Sequence, residues 1–161
     1  MATIREFFIQ RWEQEQPAFR KVLAALPADQ LGYAPHERSS KAGGLAWQLV
    51  DEQRGMSELL ERGETVFEPK PHPSLDEMLA AWDRATEELR GRLASTEESK
   101  WSEKVKFIYG GAAVWEDTLQ NMLWGYLFDM VHHRGQLSAY LRPMGGKVPS
   151  IYGPSADDQG S

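Results

Sequence analysis

A chain of 161 residues, 41% of them apolar, is long enough to bury one core without covalent staples. It contains no cysteine, which excludes disulfides, a zinc–thiolate centre and a thiol nucleophile of its own. Its 18 Lys and Arg against 24 Asp and Glu leave a formal charge of −6, a surface that repels a phosphate backbone and argues against nucleic-acid binding.

Apolar residues first recur at helical spacing over residues 3–26, where Ile4, Phe8, Trp12, Phe19, Val22, Leu23 and Leu26 share a side. Pro17 interrupts this segment and predicts a kink or a local irregularity. After a linker over residues 27–41, a second helix is expected over residues 42–62 on Leu45, Leu49, Met56, Leu59 and Leu60. A proline-rich linker over residues 68–73 leads to Ser74, a helix cap completed by Glu77 as a capping box. The third helix then carries Leu75, Met78, Leu79, Trp82, Leu89 and Leu93. Lys100, Lys104 and Lys106 lie among Glu97, Glu98 and Glu103, the pattern of a solvated turn. Residues 104–109 alternate and run into Gly110 and Gly111, which suits a small extended piece or hairpin. The fourth helix is expected over residues 115–142, stopped by Pro143, Gly145 and Gly146.

No internal repeat or boundary divides the chain. The expected fold is therefore all-α: a four-helix bundle in a single domain over residues 1–161, with a short extended segment before the last helix. The connections allow simple up-down order or up-down-down-up order. The apolar runs are far too short for a membrane span, and the N-terminus lacks a signal-peptide pattern. The expectation is a soluble cytoplasmic protein.

Four polar residues interrupt the apolar stripes. Asp129 and His133 are four residues apart, so on a helix they share one face, with Met122, Tyr126, Gln136 and Tyr140. An inward carboxylate and imidazole need a partner: each other, a water or a metal ion. On helix two, Gln48 lies between Leu45 and Leu49, and Glu52 lies one turn further on. If helices two and four face each other, Gln48, Glu52, Asp129 and His133 can converge in one polar pocket, as in bundle-core metal sites. The plainer alternatives are a core His133 satisfied by Asp129, a Gln48 bonded to a backbone carbonyl and a water-facing Glu52. His132 is expected against a neighbouring helix or a subunit interface. His36 and His72, in proline-rich loops, are expected in solvent, while Trp47 and Trp124 read as core or pocket walls. The glycine pairs lack phosphate-loop spacing, and there is neither a His-Glu-x-x-His pattern nor a Gly-x-Ser-x-Gly elbow.

The run from His132 to Arg142, followed by Val148 to Asp157, resembles the DinB/YfiT-like family of bacterial bundle metalloenzymes. Leu45 to Val50 matches that family's helix-two motif, and Tyr33 to His36 the preceding loop. The resemblance implies a DinB/YfiT-type four-helix bundle, often dimeric, with a divalent metal held by one histidine of helix two and two of helix four. It also implies, for some members, transferase chemistry with a low-molecular-weight thiol such as bacillithiol, mycothiol or glutathione. This sequence departs from the pattern at two positions, with Gln48 at the helix-two ligand position and Asp129 at the earlier helix-four position; His133 is kept. Aspartate remains a good ligand for zinc, nickel, manganese or iron, whereas glutamine is a weak, neutral one.

Two functional expectations follow. One is a metal-dependent thiol S-transferase or hydrolase, with Gln48, Asp129 and His133 at the metal and Glu52 or His132 moving a proton. Arg134 and Tyr152 would be substrate contacts on the resemblance alone. The other is a non-catalytic bundle whose metal site Gln48 has emptied, binding a small molecule or acting as a dimeric interaction module.

Overall fold

The computed structural model describes residues 2–160. Helix α1 (Ile4–Ala24) opens on a capping box: Glu6 N–H donates to Thr3 Oγ1 at 3.2 Å, and Thr3 N–H to Glu6 Oε2 at 2.8 Å. It continues unbroken through Pro17, so the expected interruption does not split it. Pro17 costs the helix only the N–H that the Glu13 carbonyl would accept, one turn back. Helix α2 (Ala42–Arg62) ends at Gly63, whose φ of 74° is the left-handed cap that glycine adopts without strain. Helix α3 (Leu75–Ser95) begins at the Ser74 and Glu77 capping box. Helix α4 (Leu119–Leu141) is capped by the Thr118 hydroxyl.

The expected all-α bundle is corrected by a three-stranded sheet, which makes the fold α+β. Strand β1 (Glu64–Phe67) follows α2 directly, and β2 (Lys104–Tyr109) and β3 (Ala112–Thr118) form a hairpin ahead of α4. The order is β1-β2-β3, with β1 parallel to β2 and β2 antiparallel to β3. Gly110 and Gly111, at φ 60° and 80°, make the two-residue turn whose twist suits a hairpin. The expected start of the fourth helix at residue 115 is also corrected. Residues 115–118 complete β3, with Trp115 opposite Phe107, and Thr118 then caps α4.

Helix α2 packs against both α3 and α4, while α1 packs on α4 and α3. Phe8, Trp12, Phe19, Leu49, Trp82 and Met122 are wholly buried between them. Each such side chain contributes about 1.5–3 kcal/mol relative to exposure. Gln53, fully buried on α2, accepts from Trp12 Nε1 at 3.0 Å and donates to Gln16 Oε1 at 2.7 Å and Thr86 Oγ1 at 3.0 Å. That network fixes the register of α1, α2 and α3 through satisfied polar atoms. Among the described residues no helix is long and apolar enough to cross a membrane.

Candidate functional site

Helices α2 and α4 and the sheet enclose a cleft of about 510 Å³. Two glycines narrow the helices around it. A Cβ on Gly55 would lie 3.0 Å from Tyr126 Oη, and one on Gly125 would lie 2.4 Å from Trp115 Cη2. Tyr126 therefore closes onto α2 and Trp115 onto α4, and both rings line the opening.

Gln48, Glu52, Asp129 and His133 do meet at one end of this cleft. Glu52 Oε1 lies 3.0 Å from His133 Nδ1, Gln48 Nε2 donates to Glu52 Oε1 at 3.2 Å, and Asp129 Oδ1 stands 3.8 Å from His133 Nε2. Gln48 Nε2 is also 3.5 Å from His133 Nε2. Two expectations reverse here. Glu52 is not water-facing: it is 6% exposed, because Leu49, Gln53 and Met56 beside it are drawn into the core and α4 closes over its carboxyl. Asp129 is the exposed member, at the cleft rim. The first partner of His133 is thus Glu52 across the helix pair, with Asp129 further away.

Burial pushes the Glu52 carboxyl up to about 7, with the His133 and Gln48 hydrogen bonds holding it from rising further. For His133, burial disfavours the cation, but the Glu52 hydrogen bond and the Glu52 and Asp129 charges outweigh that and raise it above its ordinary value. The two groups consequently share a proton on their 3.0 Å contact and titrate as a pair. Burial also raises the Tyr126 phenol, which stays a donor across the neutral range.

The donor set fits a divalent ion. Glu52, Asp129 and His133 each offer a ligand atom, all within 4.8 Å of one another. Glu52 Oε2 is buried with no hydrogen-bond partner in the fold, an orphaned acceptor that a cation would satisfy. With its Nδ1–H given to Glu52, His133 turns its Nε2 lone pair toward Asp129 Oδ1. The 3.8 Å gap between them is one that two metal–ligand bonds of about 2.1 Å span. Gln48 presents its amide NH₂, which has no lone pair to give, so in this arrangement it orients Glu52. Ligation by Gln48 requires its carbonyl oxygen to turn inward.

The other sequence candidates lie elsewhere. His132 is exposed and bonds Gln136 Nε2 at 3.0 Å. Arg134 is 2% exposed and faces α1: its Nη1 donates to Glu15 Oε2 at 2.6 Å and its Nη2 to Tyr152 Oη, whose hydroxyl in turn donates to Glu15 at 2.8 Å. Arg134 and Tyr152 do not line the cleft. His36 is exposed as expected, but His72 is half-buried, its ring packed on Gly43 at the start of α2. Trp47 walls the cleft, while Trp124 meets Phe7 at a tilt and Phe8 edge-on. Sequence reasoning missed the sheet side of the site: Phe67 and Phe107, with Thr65 donating to Glu58 at 2.9 Å. The β-branched and aromatic run of residues 64–67 was the available signal.

A four-helix body with a ligand-capable cluster between α2 and α4 defines a class, and likeness to known proteins names it. The chain belongs to the DinB family, whose model matches residues 1–160. A DinB-like protein from Bacillus cereus has a similar structure: TM-score 0.75, 20% identity, 90% of this chain and 95% of the other covered. One from Bacillus subtilis gives 0.69 and 18%, with 87% and 92% covered. The mycothiol-dependent maleylpyruvate isomerase gives 0.61 and 13%, covering 92% of this chain and 65% of that one. At these identities the likeness is one of fold. No curated protein matches the sequence.

Proposed function

We propose that this DinB-family chain is a divalent-metal-dependent enzyme that transfers a group to or from a low-molecular-weight thiol. The observation that supports it most is the Glu52, Asp129 and His133 cluster with the orphaned Glu52 Oε2, at the end of a cleft large enough for a small molecule. The structural similarity to an isomerase described as mycothiol-dependent points the chemistry toward thiols. With no cysteine in the chain, the sulfur comes from a cosubstrate. Two carboxylates and one imidazole suit manganese, iron or zinc, with nickel less well served than by three imidazoles.

A divalent ion in this site supplies the Lewis acidity that keeps a thiol ionised near neutral pH. Asp129, His133 Nε2 and the unpartnered Glu52 Oε2 are the ligands in this reading. Glu52 holds the His133 Nδ1 proton and is placed to take or return a proton at the cleft floor. Gln48 keeps the Glu52 carboxyl in position. A homodimer is part of the same reading, supported by an exposed aromatic patch in which Phe7 stacks on Trp124 and Trp124 on Phe128, the last 65% exposed.

Elemental mass spectrometry of the untagged protein is the test. About one equivalent of one transition metal, lost in Asp129→Ala and His133→Ala, is the expected result, followed by turnover of electrophiles with bacillithiol, mycothiol or glutathione. Absence of bound metal, together with no thermal stabilisation by added zinc, nickel or manganese, overturns the proposal.

A further inference from the structure

We propose that the cleft takes a planar, uncharged conjugated body whose polar end lies at the Glu52, Asp129 and His133 cluster. The inference rests on the metal reading above and adds the class of substrate. Folding leaves aromatic faces wet around this opening. Trp47, Phe67 and Phe107 are only half-buried and Trp115 is 38% exposed, yet all four line the cleft. The Gly125 notch lets Trp115 press against α4, where almost any side chain at position 125 would push it away. Such rings gain most from a flat partner stacked or set edge-on against them.

The polar atoms select the rest of the ligand. Trp47, in the lining, carries a buried Nε1 donor with no partner, while the Glu52 Oε2 acceptor goes to the cation, so a heteroatom end is met by the ion itself. Around the mouth Asp51 pairs with Arg54, Glu58 with Arg62 and Glu68 with Lys70, so the charges there are already matched and an uncharged body fits them best. A flat neutral ring system bearing one heteroatom end satisfies these features together.

Two chelators with the same metal-binding head, benzohydroxamate and acetohydroxamate, isolate the ring. On the zinc-loaded full chain, benzohydroxamate should bind at least about tenfold tighter, the scale of aromatic stacking plus ring burial. Trp115→Leu should pull the affinity ratio toward one with zinc content unchanged, Trp115→Phe should keep most of it, and a para-carboxylate on the ring should abolish the preference. Equal affinities on the zinc-loaded wild type, or a ratio unmoved in both Trp115→Leu and Trp47→Leu, overturn the inference and leave the metal reading standing. If the chain takes up neither zinc, nickel nor manganese, the metal reading fails by itself. Saturation-transfer NMR with benzamide on the metal-free protein then decides the ring. A benzamide signal that disappears in Trp115→Leu upholds it; a signal absent from the wild type, or unchanged in Trp115→Leu, overturns it.

Discussion

At the residue scale, Glu52 is held between burial, which favours its proton, and His133 and Gln48, which favour the anion, and the balance sits at about 7. A metal must displace that proton, so affinity should climb steeply as pH rises toward 7 and level off above it. Competition titrations from pH 5.5 to 8.5 read this, and a flat profile would remove Glu52 and His133 from the site. The metal-free protein should show the opposite trend in stability. Glu52 and His133 both have folded-state values raised above their ordinary ones, so their contribution is full in mild acid. It is lost as pH rises from about 4.5, through the Glu52 value of about 7. Urea midpoints of chelated protein should therefore fall between pH 5 and 8, and Glu52→Gln should flatten that slope. The inward turn of Glu52 could not be read from sequence. It sits at the border of the α2 stripe, between Leu49 and Met56, and only the approach of α4 decides which side of that border is dry.

At the scale of elements, the helices were legible because their signals are local. The Ser74 and Glu77 capping box and the 3.6-residue spacing of α2 lie within a few residues of what they specify. The hairpin was legible in the alternation of residues 104–109 and the Gly110 and Gly111 turn, but β1 was not, because it finds its partner some forty residues away, across α3, and a four-residue strand has almost no periodicity of its own. The fourth helix was extended backwards for the same reason: Trp115, Leu119 and Met122 keep helical spacing across the strand that ends at Thr118. The strongest inter-element tie is the Arg134 guanidinium, buried on Glu15 and Tyr152 with Phe19 under it at 4.6 Å. Arg134→Met leaves the buried Glu15 carboxylate with only the Tyr152 hydroxyl and a distant Arg11 at 3.9 Å and should destabilise the fold by about 3 kcal/mol, with Tyr152→Phe near 1 kcal/mol. Denaturant unfolding measures both, and metal content should be unchanged in the folded Arg134→Met protein. Gly125→Ala should push the Trp115 ring off α4 with little loss of stability, because the overlap falls on the far end of a 38% exposed side chain and alanine favours the helix.

At the scale of the whole molecule, the C-terminal segment is fastened by carboxylates accepting backbone N–H groups. Val148 N–H donates to Asp157, which also takes Arg142, and Ser150 N–H donates to Asp158. These bonds hold both aspartates below the ordinary carboxylate range. Their contribution is present above the ordinary Asp value and is lost as pH falls through the depressed ones. The Val148 and Ser150 amide resonances should shift together below about pH 4, before the helices unfold; independent shifts would show that the tail is not one unit. The Phe7, Trp124 and Phe128 patch gives the proposed homodimer its test. Phe128→Arg should convert a light-scattering dimer to monomer with the metal site intact, and an unchanged mass would place the interface elsewhere.

The parallel pairing of β1 with β2 also sets an order of assembly. A parallel ladder cannot close as a local hairpin; it waits until α3, which separates its strands along the chain, has been made. As the chain emerges from a ribosome, Glu52 therefore appears long before it has a cleft to line. The wall opposite it is complete only once β3 has been made, and His133 arrives later still. An ion held by Glu52, Asp129 and His133 would therefore be captured only after α4 has been made, and a product cut before α4 would carry half a site that should hold nothing.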